Sequence, residues 1–430
     1  MIPEARARMT LQTMLARALA WRPGGLARNT ACTVAWNLWR IALQALNLVA
    51  LARLFGADGY GVLAGTIALF VACAQFVGMG TGMALVRDSV RDARAGADVY
   101  AQTRTVYLAT GLAAFLLAWP LGVWLLGDQV PADALAALAF AELVAAPAVM
   151  PLVYRLQSQE RMGAFGALLS LPPAVRLVVT LALLLLDYDS ITGFALLYLG
   201  GMLCASLAAH AVASPHGCAR PRWSDLWYLR QGLPYVLPGV TSAVGSEVDK
   251  TILLRSAGAA ETGHYAAAHR IMQAAAVPVG ALMLAAVPRL FRSSAATGRP
   301  HGARMLVLAA LAYALPMAIL LWLLAPLAPW LLGTQFRPSV DLLRGLSLVL
   351  VAACLRQVTL ALLTTSDLQR IRNRIEVSAA VASIGALLAA IPVFSAWGAV
   401  IVLGTTDLLV VAAGGIALYR HRHRRAVGRA

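Results

Sequence analysis

Nine ionisable side chains interrupt the apolar stretches of this 430-residue chain: Arg40, Arg176, Lys250, Arg270 and Arg356 against Glu142, Glu247, Asp249 and Asp407. At the centre of a membrane helix each costs roughly 2.5–3.5 kcal/mol, so nine facing lipid would cost on the order of 25 kcal/mol. They must face protein or a water-filled cavity. Cations in such a cavity suit a phosphate-bearing cargo, because guanidinium presents paired donors to an oxyanion. Carboxylates there can exchange a proton or a sodium ion, and charges of either sign can simply pair to hold helices together. Glu247 and Lys250, at i,i+3 spacing, are the clearest expected structural pair.

Arg40 is the leading candidate for the anion site. It sits within an apolar helix from Thr33 to Gly61, where Thr33, Asn37, Arg40, Gln44 and Asn47 share one narrow stripe at 100° per residue. The expected binding set is therefore Arg40, Asn37, Gln44 and Asn47 with Arg176, Lys250, Arg270 and Arg356. Asp249, Glu142, Asp407 and His269 are the candidate ion-coupling groups. Ser242, Ser246 and Asp249 form a second polar stripe suited to oppose the first. No nucleotide-binding loop, nucleophile elbow or metal-ligand spacing occurs in the sequence, so neither a catalytic residue nor a cofactor is expected.

The elements that position these groups follow from composition. The chain is 60% hydrophobic and 13% charged, with a mean hydropathy of +0.74, which excludes a soluble globular domain. A net charge of +16 would suggest nucleic acid in a soluble protein. Here the arginines fall in short loops between apolar runs, where they orient helices, and no nucleic-acid partner is expected. The five cysteines are scattered and are read as free thiols.

At about 20 apolar residues per span, the sequence reads as twelve helices near 31–55, 60–86, 102–127, 134–156, 163–186, 190–213, 232–256, 263–289, 303–332, 339–365, 373–392 and 396–419. Arginines cluster in both tails and in the even-numbered connections, among them Arg87, Arg91, Arg155, Arg230 and Arg370. Asp58, Asp128, Asp133, Asp187, Asp189 and Glu261 dominate the odd-numbered ones. That alternation puts both termini in the cytoplasm. Residues 1–30 are too broken by arginine for a signal peptide, and Leu11, Leu15 and Leu19 suggest an interfacial helix instead. No connection is long enough for a folded domain outside the membrane.

The chain repeats itself. Arg53, Gly56 and Gly61 in ARLFGADGYG align with Arg255, Gly258 and Gly263, each 202 positions later. LAWPLGVWLLGDQ (117–129) matches LLAPLAPWLLGTQ (323–335) at an offset of 206. An even number of helices separates the copies, so they form a parallel repeat. The expected fold is all-α: two six-helix lobes, 31–213 and 232–419, around a central cavity, with 1–30 a basic cytoplasmic segment, 214–231 a cytoplasmic linker and 420–430 a basic tail. The charges break this symmetry, since the partner of Arg40 is Ser242 and that of Asp249 is Asn47. Pro172, Pro173, Pro234, Pro238 and Pro278 are expected to bend spans, giving a transporter places to open.

LARLFGADGYG, SEVDKTILLRSAGAAETGHYAAAHR from Ser246, and the following VPRLF resemble the polysaccharide-unit flippases of the multidrug, oligosaccharidyl-lipid and polysaccharide exporter superfamily. The resemblance covers nearly the whole chain. In that family Asp recurs at the position of Asp249 and Gly at that of Gly263, and both are present. The extra C-terminal helix pair of the related peptidoglycan-precursor flippases has no counterpart in the sequence, which counts against that branch as an expectation. The resemblance implies translocation of a polyprenyl-diphosphate-linked oligosaccharide, of O-antigen, capsule or exopolysaccharide type, across the cytoplasmic (inner) membrane. The lipid bilayer is then an obligatory partner, and a polysaccharide polymerase and chain-length regulator could be others. A cation-coupled exporter of small compounds is the alternative within the same fold. A sugar transferase or ligase is disfavoured by the lack of a large outer loop.

Overall fold

The computed structural model describes residues 25–92, 96–213, 223–297, 303–366 and 368–427. The interfacial helix expected around Leu11–Leu19 and the linker stretch 214–222 lie outside them. All regular elements among the described residues are helical, as a chain surrounded by lipid requires, because helices satisfy their own backbone polar groups. Among the described residues, eight helices are long and apolar enough to cross a membrane. They become nine if Met162–Leu169 and Leu171–Leu185, bent by 43° where Pro172 and Pro173 begin the second piece, count as one span.

The differences from twelve have physical causes. The first two expected spans form one 50-residue element, α1 (Gly25–Ala74), kinked at Gly56, whose φ of 66° and ψ of −167° are open to glycine. After a short 3₁₀ turn (Val77–Gly80), in which Gly78, Met79 and Gly80 all take positive φ, α2 (Thr81–Arg91) completes the second expected span. The expected seventh span is two ten-residue pieces, α10 (Leu237–Ser246) and α11 (Val248–Ala257), separated at Glu247, and it carries four charges in five turns. The eighth is the 39-residue α12 (Ala259–Thr297). Between these four lie α3 (Gly96–Leu126), α4 (Ala132–Phe140), α5 (Met150–Ser158), α6 (Met162–Leu169), α7 (Leu171–Leu185), α8 (Ile191–Ala213) and the single turn α9 (Leu229–Gly232). The chain then continues through α13 (Ala303–Leu324), α14 (Ala328–Leu332), α15 (Ser339–Thr365), α16 (Gln369–Phe394) and α17 (Ala396–Val427), the last running into the basic tail.

The repeat is visible in the backbone. Gly258, between α11 and α12, has φ 92° and ψ 177°, matching the kink at Gly56. The repeated tryptophans Trp124 and Trp330 both face outward, 77% and 79% exposed. Two hydrophobic cores divide along the sequence. One is built mainly from residues 48–202, around Phe70, Leu135 and Phe194. The other comes from residues 253–402, around Tyr265, Leu346 and Val358. A smaller cluster packs Tyr228 and Leu229, after the undescribed linker stretch, onto Leu85, Tyr100 and Leu152, which ties the end of the linker to the first half.

Candidate functional site

The two halves meet along α1 and the α11–α12 hairpin. At one end the repeated motifs contact each other: Arg53 donates to the carbonyls of Leu331 (3.0 Å) and Trp330 (3.0 Å), and Gln335 accepts from the Ala57 amide (3.1 Å). Their repeat partners cross in the other direction. Gln129 donates to Leu254 O at 2.9 Å, and Arg255 reaches Asp128 at 3.2 Å. His264 holds Gln335 O at 3.0 Å. This end is closed.

Further along, Val71 of α1 and Gln75, just past its end, face Gly239, Ser242, Ala243 and Ser246 of α10 and Glu247 across a cavity of about 500 Å³. Ser242 and Ser246 belong to the second polar stripe expected from sequence, and the cavity gives that stripe a surface to line. Glu247 and Gln75 were not among the expected site residues. The i,i+3 spacing explains why Glu247 reads as a structural partner of Lys250, and that pair does form, at 3.4 Å. Only the break in the helix at Glu247 (φ −128°) turns the residue into cavity wall, and nothing in the local sequence marks such a break.

The structure sorts the nine membrane charges into separate groups rather than one site. On the first half, Arg176 of α7 pairs with Glu142, which lies in a π-turn (Ala141–Ala145) following α4. Tyr198 Oη donates to Glu142 at 3.0 Å and accepts from Arg176 at 3.2 Å, with its ring 5.0 Å from the guanidinium. On the second half, Lys250, only 1% exposed, contacts Asp249 at 3.1 Å and donates to Ser246 O. Tyr265 donates to Asp249 at 2.5 Å, and Arg270 lies 3.7 Å from Glu247. Arg356 pairs with Asp407 at 3.0 Å, lining a pocket with Asp249, Thr241 and Ser383. His269 is buried and stacked on Tyr265, 5.4 Å between centroids.

Arg40 differs from the other eight. Among the described residues it has no carboxylate partner. Its guanidinium donates to Asn37 at 3.2 Å and lines a small pocket with Thr33, Trp36 and residues of α6 through Ser170. Of the rest of its stripe, Gln44 is exposed, whereas Asn47 is buried and accepts from Thr180 at 3.1 Å. Among the described residues no group of His, Cys, Asp and Glu could hold a metal ion.

At the other end from the closed contacts, Arg87 chelates Asp88 with bonds of 2.7 and 3.0 Å, and reaches Gln231 at 3.2 Å. Tyr228 donates to Asp88 at 2.8 Å. The hydrogen bond from Arg87 holds the Asp88 carboxyl below its usual range against the opposing effect of burial, with Tyr228 assisting. Burial, with the Asp88 hydrogen bond adding to it, pushes the Tyr228 hydroxyl well up.

Comparison with known proteins turns this geometry into a family. The family model described as "Polysaccharide biosynthesis protein" matches residues 26–294. No curated protein matches the chain by sequence. Among solved structures, an inward-facing multidrug resistance MATE family transporter of the MOP superfamily superposes with a TM-score of 0.69 at 15% identity, covering 92% of this chain and 95% of its own. Lipid II flippase MurJ in an inward closed conformation gives 0.70 at 13% identity, over 90% and 87% of the two chains. An outward-facing MATE family transporter gives 0.57 at 15% identity, over 93% and 96%. These likenesses show the fold. The chain, whose described residues include eight or nine candidate membrane spans, belongs to the polysaccharide biosynthesis protein family.

Proposed function

We propose that the protein turns polyprenyl-diphosphate-linked oligosaccharide repeat units, of O-antigen, capsule or exopolysaccharide type, from the inner to the outer leaflet of the cytoplasmic membrane. Arg40 carries this reading. A guanidinium inside an apolar helix, with no carboxylate partner among the described residues, is costly, and a cargo diphosphate is the natural partner for its paired donors. Family membership points the same way. In this reading twelve spans form two six-helix lobes, each kinked glycine, Gly56 and Gly258, turning one span into the next. Both termini lie in the cytoplasm, on the charge alternation of the loops. The closed end then faces outward and the cavity is reached from the cytoplasm. That agrees with the higher TM-score to the inward-facing than to the outward-facing relative. A polymerase and a chain-length regulator would receive the product outside.

Complementation of a strain lacking its own repeat-unit flippase tests this. The wild-type chain restores surface polysaccharide, and Arg40→Ala lowers it by about tenfold or more at equal membrane abundance, the loss expected for one charged contact. Normal export by Arg40→Ala would remove the diphosphate role. One observation favours a second reading, export of small cationic compounds: a carboxylate, Glu247, stands in the cavity wall. Wild-type drug efflux abolished by Asp249→Asn, with no rescue of polysaccharide export, would establish it.

A further inference from the structure

Glu247 occupies an unusual position for a carboxylate. It is 7% exposed, sits where the helix breaks between α10 and α11, and lines the cavity between the halves. Two cations approach one of its oxygens, Oε2: Lys250 at 3.4 Å and Arg270 at 3.7 Å. Neither makes a hydrogen bond to it, and Oε2 is a buried oxygen with no hydrogen-bond partner among the described residues. The other ion pairs inside the membrane are made tighter. Arg176 is hydrogen-bonded to Glu142 and Tyr198, Arg356 to Asp407, and Lys250 itself to Asp249 and Ser246 O. Arg270 is the loose member, with 40% of its side chain exposed and no hydrogen bond to a described residue.

We infer that Glu247 is a resident stand-in for the cargo's phosphate. It holds Arg270 loosely while the cavity is empty and yields it to an incoming phosphate or diphosphate. This deepens the flippase reading and rests on it. A half-exposed guanidinium within a membrane protein still costs free energy without any counter-ion, and one locked in a bidentate pair would be unable to exchange partners. A contact at 3.7 Å without a hydrogen bond retains most of the Coulomb attraction and forgoes the strong, directional part of the interaction. An oxyanion with three acceptor oxygens can then outcompete it at Arg270. Lys250 keeps its bonds to Asp249 and Ser246 O throughout, so Glu247 retains one cation when Arg270 leaves. On release of the cargo, the same carboxylate recaptures the guanidinium.

Inorganic pyrophosphate titrated into the purified full-length protein in nanodiscs is the test. Replacing the competing carboxylate by Glu247→Gln should tighten pyrophosphate binding by about tenfold or more, and adding Arg270→Gln to that variant should abolish the gain. Glu247→Asp, which withdraws the carboxylate by one methylene, should tighten binding by a smaller factor and covers the case in which Glu247→Gln does not fold. Unchanged or weaker binding by the folded Glu247 variants would overturn the inference, as would a gain that survives Arg270→Gln. These outcomes do not depend on which cargo is exported. A wild-type chain that fails to restore polysaccharide export counts against the flippase reading, whereas the titration judges Glu247.

Discussion

Gly61 and Gly263 each press against the carbonyl four residues before the other. A Cβ built on Gly61 would stand 1.9 Å from Ala259 O, and one on Gly263 would stand 2.0 Å from Ala57 O. The two glycines are 202 positions apart, as are Ala57 and Ala259, so the contact is reciprocal about the axis of the repeat. An alanine and a glycine spaced by four on each helix bring the backbones together, as small residues do where membrane helices cross closely. Gly61→Ala and Gly263→Ala should each destabilise the protein by about 1–3 kcal/mol, by similar amounts, and lower transport. Gly200, with nothing within 4 Å of its would-be Cβ, is the control, and Gly200→Ala should leave the unfolding temperature unchanged or raised. A loss at Gly61 without one at Gly263 would contradict the reciprocal contact.

The Arg176–Glu142–Tyr198 cluster predicts strong asymmetry between single and double substitutions. Removing one partner leaves a buried charge uncompensated, so Glu142→Gln or Arg176→Gln should each cost about 3–5 kcal/mol. Glu142→Leu combined with Arg176→Met removes both charges and should come closer to wild type than either single change. Thermal unfolding in detergent measures all three. If the double variant retains transport, the pair is structural. If it is stable but inactive, Glu142 belongs among the ion-coupling groups.

Much of this could be read from residue types. Arg53, Gly56 and Gly61 and their copies announced the repeat, and both kinked glycines take positive φ. The requirement that buried charges face protein or water is met by ion pairs for eight of the nine. What could not be read is which charge meets which. Glu142 and Arg176 are 34 residues apart and Arg356 and Asp407 are 51 apart, and such pairings depend on helix rotation and depth, to which local periodicity is blind. The expected binding residues accordingly fall into separate paired groups, because a span's polar stripe identifies a face and not its neighbour. Asn47 shares the stripe of Arg40 yet is buried against α7. The run of positive φ at Gly78, Met79 and Gly80 was hidden for a different reason: VGMG in an apolar stretch looks like continuing helix. There Gly80 and Gly232 approach so closely that a Cβ on Gly80 would lie 2.3 Å from Gly232 O, a tertiary contact with no local signature.

Asp407 offers a separable test of ion coupling. It is 2% exposed and hydrogen-bonded to Arg356 in a pocket that also contains Asp249. Asp407→Asn retains the shape and one acceptor but removes the charge opposite Arg356. If the pair is structural, stability falls by about 3 kcal/mol or more, and transport by the folded fraction persists. If Asp407 exchanges a cation, transport falls far more than the folded fraction, and its dependence on the ion gradient disappears. Uptake by proteoliposomes with and without a gradient, normalised to folded protein, separates the outcomes.

The Asp88 site gives a dependence on pH. Its carboxyl is held below the ordinary value of 3.8, first by the hydrogen bond from Arg87. A group whose folded-state value is depressed contributes stability that is fully present above its unfolded value and is lost as pH falls through the folded one. The attachment of residues 223–232 to the first half, made through Tyr228 and Gln231, should therefore be intact at neutral pH and weaken only below about pH 4. Asp88→Asn should loosen it by about 2 kcal/mol at pH 7, the worth of charge-assisted hydrogen bonds. That deficit should shrink toward zero as acid protonates Asp88 in the wild type. Fluorescence of Trp227 in a variant whose other tryptophans are replaced by phenylalanine, followed through thermal unfolding from pH 7 to pH 3, reads the segment. A deficit that stays constant over that range would show that Asp88 acts through packing and not through its charge.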